Sequence, residues 1–129
     1  MDLIIESTFE TPTVRFDETT GDFVICGRAI PDAENSFWKN VQSWVSDNIS
    51  SIHTPITLKV EIEYMNARSI NELMNLIALL RVVKNHGYPF VIDWVCDKNE
   101  QNEIYLIGQD IADATNCSIK FIDSVESHH

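Results

Sequence analysis

Ile56-Thr57-Leu58-Lys59-Val60-Glu61-Ile62-Glu63-Tyr64 is the stretch from which the fold is read. Ile56, Leu58, Val60, Ile62 and Tyr64 alternate with Thr57, Lys59, Glu61 and Glu63. A period of two sustained over nine residues describes a β-strand with one side toward a core and the other toward water. On this pattern Tyr64 is the last core position of the strand; contact with a partner is its alternative use. Upstream, Ser50 to Pro55 breaks the periodicity, and before it Phe37, Val41, Trp44, Val45 and Ile49 recur at helical spacing. Pro31-Asp32 is the start signal for that helix. Further back, Thr13–Phe16 and Phe23–Cys26 flank a polar turn containing Gly21 and predict a β-hairpin.

Downstream, Leu73, Met74, Leu76, Ile77, Leu80 and Val83 return to the helical period from Ser69 onward and stop at His86-Gly87, where glycine suits a left-handed cap. Phe90 to Cys96 predicts a further strand, Glu100 to Thr115 a third helix and Ile119 to Ile122 a final strand. The order is hairpin, helix, strand, helix, strand, helix, strand. Two strand-helix-strand crossovers make parallel neighbours, so the class is α/β, with helices packed on a mixed sheet.

A chain of 129 residues is the size of one domain, placed here at residues 1–123, with 124–129 as a disordered tail. His128 and His129 end that tail. Nine Lys and Arg against 20 Asp and Glu give a net charge of −11, which repels phosphate backbones and anionic lipid. Nucleic-acid and membrane partners are therefore not expected. With no apolar run near the length of a membrane span and an acid at Asp2 where a secretory signal carries a base, the expected location is cytoplasmic. Cys26, Cys96 and Cys117 have no paired spacing and are read as reduced, buried thiols.

Catalytic signatures are scarce. G-x-S-x-G, the phosphate-binding glycine motifs and H-E-x-x-H are all missing, and His53, His86, His128 and His129 have no metal-ligand spacing. No metal, cofactor or catalytic residue is expected, and an enzyme or small-ligand binder is the lesser alternative. One junction stands out, the loop Asn66-Ala67-Arg68 between the alternating strand and the next helix, because ligands and partners of open α/β sheets engage at strand carboxyl ends. Ser69-Ile70-Asn71-Glu72 there has the form of a capping box. Trp38, Trp44 and Trp94 fall on periodic elements and are read as buried.

Several segments together resemble the SiaC family of bacterial regulatory phosphoproteins: Met1-Asp2-Leu3-Ile4-Ile5, Thr11-Pro12-Thr13-Val14-Arg15-Phe16, Cys26-Gly27-Arg28-Ala29-Ile30-Pro31-Asp32-Ala33, Trp44, Glu63-Tyr64-Met65-Asn66 and Asp93-Trp94. The likeness runs nearly the full chain. It implies a STAS-like fold, similar to anti-anti-sigma factors, and a partner-switching role without enzymatic activity. It further implies phosphorylation by a protein kinase, dephosphorylation by a PP2C-type phosphatase, and activation of an effector, a diguanylate cyclase in cyclic di-GMP and biofilm regulation, by the unphosphorylated form.

The family continues its strand end as Asn-Thr-Ser-Ser, with Thr as the phosphoacceptor. Here Asn66 matches, Ala67 takes the Thr position, Arg68 replaces the first Ser and Ser69 matches the second. Alanine has no hydroxyl to esterify. Either Ser69 is the phosphorylation site, with Arg68 as a charge-assisted partner, or the chain is a binding scaffold fixed in the unmodified state. The expected partner-binding surface comprises Tyr64, Asn66, Ala67, Arg68 and Ser69, with Arg28 nearby either as a phosphate- or acid-binding group or in a plain surface ion pair.

Overall fold

A computed structural model describes residues 2–99 and 101–124. Its strands are β1 (Leu3–Ile5), β2 (Thr13–Phe16), β3 (Asp22–Ala29), β4 (Ile56–Met65), β5 (Phe90–Cys96) and β6 (Ile119–Asp123). Its α-helices are α1 (Phe37–Asn48), α2 (Ala67–Leu80) and α3 (Glu103–Thr115). The strands lie side by side in chain order, antiparallel from β1 to β3 and parallel from β3 to β6. The mixed α/β class read from the sequence is the observed one. Three crossovers are present rather than two, because β3 of the hairpin also pairs in parallel with β4. All three step in one direction along the sheet, so right-handed connections put every helix on the same face.

That face holds the core. Ile56, Leu58, Val60 and Ile62 of β4 meet Phe23 and Ile25 of β3, Ile92 and Trp94 of β5, and the apolar sides of the helices, including Val41, Val45, Leu73, Leu76, Ile77 and Ile111. Trp38 and Trp94 are buried, and Trp44 is half-buried with its ring edge-on to Phe16 and Phe23. The opposite face carries Thr57, Lys59 and Glu61, as the alternation requires. Gly21 makes the hairpin return at φ +78°, and a Cβ there would run into the Pro55 carbonyl, so glycine is needed for both reasons.

Several boundaries differ from the sequence expectation. β1 was not expected; three residues are too few to show periodicity, and pairing with β2 is what makes them a strand. Pro31-Asp32 does not open α1. Asp32 Oδ1 instead accepts from the Glu34 amide at 3.1 Å, a local turn, and the helix starts at Phe37. Residues Arg81–His86 tighten into a 3₁₀ helix before Gly87 ends it at φ 89°. Cys96 is buried, Cys117 half-buried and Cys26 exposed, against the expectation of three buried thiols, because Phe23 and Ile25 take the inward positions of β3 and turn Cys26 outward. In the expected tail, Ser124 is described and half-buried, while residues 125–129, including His128 and His129, lie outside the described residues.

Candidate functional site

The loop after β4 is built by its first residue. Asn66 has extended backbone, φ −84° and ψ 168°, and its Oδ1 accepts from the Ser69 amide at 2.9 Å, which makes it the N-cap of α2. Its Nδ2 donates to the Pro31 carbonyl at 3.0 Å, tying the cap to the segment between β3 and α1. The helix therefore begins at Ala67, and the Ser69–Glu72 capping box read from the sequence is not formed. Ser69 is the third residue of the helix, within its first turn. Glu72 instead meets Gln42 of α1, whose Nε2 donates to the Glu72 backbone carbonyl at 3.1 Å.

Ala67 and Arg68, at the first two helical positions, are exposed. Ser69 is 0% exposed, and its hydroxyl accepts from Trp38 Nε1 at 2.9 Å. The expected surface thus divides: Ala67 and Arg68 face solvent, while the Ser69 side chain is buried against α1. An inward Ser at the third position of a helix that packs on α1 follows from 3.6-residue spacing with Leu73 and Leu76, which are also buried.

Tyr64 is 60% exposed and not a core residue. Along β3 and β4, Gly27 is opposite Ile62 but Arg28 is opposite Tyr64, so Glu63 is an extra residue on β4. Such a bulge shifts the inside-outside alternation by one, which turns Tyr64 out and Met65 in. Arg28 then lies between two exposed rings, its Cζ 5.6 Å from the Tyr64 centroid and 4.9 Å from that of Phe9. Its Nε is 3.6 Å from a Glu63 carboxylate oxygen. Arg28 is accordingly engaged in a surface ion pair and two cation–π contacts, on the same edge as Tyr64 and one strand from the Asn66 loop. Phe9, 74% exposed on the segment between β1 and β2, is a member of this surface that no sequence pattern indicated.

The sequence model of the "SiaC family regulatory phosphoprotein" matches residues 5–124. The chain belongs to the SiaC family. It is similar to an uncharacterized protein of Pseudomonas aeruginosa (strain UCBPP-PA14), 25% identical over 127 residues that make up 98% of this chain and 97% of the relative. Among solved structures, apo-SiaC from Pseudomonas aeruginosa superposes with a TM-score of 0.77 at 23% identity, covering 95% of this chain and 98% of its own. SiaC from the same organism, crystallised as the activator in complex with the diguanylate cyclase SiaD, superposes equally well, with a TM-score of 0.77, 26% identity and the same coverage, 95% and 98%. The mixed six-stranded sheet with helices on one side is thus the architecture of SiaC.

Proposed function

We propose that this SiaC-family chain is a non-enzymatic adaptor that docks on a diguanylate cyclase of its own cell and is fixed in the binding-competent, unmodified state. The observation that carries the reading is the combination of Ala67 at the exposed first position of α2 with a Ser69 hydroxyl that is fully buried and bonded to Trp38. The exposed position has no hydroxyl, and the hydroxyl has no exposure. For a kinase to reach Ser69, the first turn of α2 would have to unwind, giving up the Asn66 cap and the Trp38 bond. A phosphate there would also require burial of about −1.5 to −2 charges, which only close pairing offsets. The relative crystallised with SiaD as its activator supports a cyclase as the effector class. A kinase and a PP2C-type phosphatase remain partners that the family resemblance implies; here they would bind the corner without changing it, in the cytoplasm.

The test uses the full chain with a diguanylate cyclase from its own organism and, separately, with a SiaC-family kinase and ATP. The expected results are a rise in cyclic di-GMP formation that Ala67→Glu abolishes, and an unchanged intact mass after kinase treatment. A phosphoryl adduct mapped to Ser69 that releases the cyclase would replace this reading with a switch at Ser69. No effect on any cyclase, with no binding, would overturn the effector assignment.

A further inference from the structure

Alongside the Asn66 corner a cleft runs across the carboxyl ends of β4 and β5 to the start of α3. It has two lobes of about 580 and 390 Å³ that share Glu63, Tyr64, Asn102 and Ile104. Ile62, Val95 and Ile104 form an apolar floor. At one wall stands the exposed ring of Tyr64, with the Arg28 guanidinium over it. An exposed aromatic side chain beside an apolar floor is the kind of surface on which binding energy concentrates.

The sign of the charge on the rim selects the occupant. Among the described lining residues, Glu61, Glu63, Asp97 and Glu103 face one guanidinium, that of Arg28, which Glu63 and two rings already hold. The thiol of Cys96 in the same lining senses this field: burial first, then Asp97 and Asp123, push it above its usual range, with Lys98 opposing. An acidic ligand or a second copy of a chain carrying −11 would meet repulsion here.

We propose that this cleft receives a basic-apolar segment of the partner protein, with Lys or Arg side chains at the Asp97 and Glu103 rim and apolar side chains on the floor. The inference deepens the adaptor reading by assigning the chemistry of the partner segment. It also makes the cleft, and not the Ala67 corner alone, the main source of affinity; the corner then gates access from one end.

Backbone amide NMR of the full chain tests it, with two capped hexapeptides as probes, one alternating lysine and leucine and the other glutamate and leucine. The lysine peptide is expected to shift amides of Tyr64, Val95, Asp97 and Asn102 together, to weaken with added salt, and to lose on the order of tenfold in affinity with Asp97→Asn plus Glu103→Gln. The glutamate peptide is expected to leave those amides in place. Shifts scattered over the acidic surface, equal response to both peptides, or an unchanged affinity in a folded double variant would each overturn the proposal. Should the variant fail to fold, the wild-type shift map and its salt dependence decide alone. Because no cyclase enters this experiment, peptide binding in the cleft with no cyclase response would sink only the effector assignment, and cyclase activation insensitive to the double variant would sink only the cleft.

Discussion

Trp38 Nε1 donates to Ser69 Oγ across 2.9 Å, joining two buried side chains 31 positions apart and fastening α1 to the first turn of α2. The bond satisfies the single N–H of a buried indole and leaves the serine hydroxyl committed to the interior. Replacing Ser69 with Ala strands that N–H, and urea unfolding is expected to report a loss of about 1–3 kcal/mol. Trp38→Phe combined with Ser69→Ala should cost less than the two single changes added, since the bond is then lost only once. Ser69→Asp, which would imitate a phosphate at an accessible site, is instead expected to cost on the order of 3 kcal/mol or more by burying a charge without a partner.

Asn66 serves two elements at once, capping α2 through Oδ1 and holding the Pro31 carbonyl through Nδ2. Asn66→Ala is expected to destabilise the chain by about 1–2 kcal/mol. Asn66→Asp keeps the cap acceptor but sets a carboxylate oxygen against the Pro31 carbonyl where the donor was, so it should also destabilise the chain. Hydrogen exchange at the first turn of α2 separates the effects: fast in the alanine variant, slow in the aspartate variant.

Ala67 is exposed at the first helical position, where a hydroxyl can be added without disturbing packing. Ala67→Thr should change stability by no more than about 0.7 kcal/mol, the helix-propensity difference. Treated with a SiaC-family kinase and ATP, this variant is expected to gain a phosphoryl group at position 67 by peptide mapping, while the parent chain gains none. Labelling of both chains at a common site would contradict the account of Ala67.

Two thiols are held back from ionising. Burial, then the charges of Glu61 and Glu63, raise Cys26, with Lys59 opposing between them in strength; burial, then Asp97 and Asp123, raise Cys96. Although the Cys26 residue is exposed overall, its sulfur is close enough to the sheet surface to lose part of its hydration. A raised pKa means less thiolate at a given pH, so both should alkylate more slowly than a free thiol at pH 8, Cys96 the slower because it is also buried. Alkylation should speed up as pH rises toward the raised values. Mass-resolved alkylation with peptide mapping checks the order, and Cys96 reacting as fast as a free thiol would contradict it.

Much of this arrangement was legible in the residues. The alternation from Ile56 placed the central strand, the return to helical spacing after Ser69 placed α2, and Phe90–Cys96 emerged with the bounds expected for β5. Cys26 was expected inside on residue type, and the alternation with Phe23 and Ile25 along β3 is what turns it out. Of the site, Asn66, Ala67, Arg68 and Arg28 were found on the exposed or half-exposed edge. Phe9 was not, because a lone aromatic in an irregular segment has no periodicity to betray its neighbours.

The sequence by itself determined the order of strands and helices from β2 onward, the acidity, and the absence of a hydroxyl at position 67, since these depend on local pattern and composition. Only the tertiary structure decided which way Tyr64 faces and what holds the Ser69 hydroxyl. Tyr64 turns outward because a bulge at Glu63, fixed by pairing with a strand some 35 residues earlier in the chain, shifts the alternation by one. The inward Ser69 hydroxyl is held because α1 brought an indole donor to it from 31 positions away. The bulge and the indole both come from partners distant in the chain, and no window of neighbouring residues contains them.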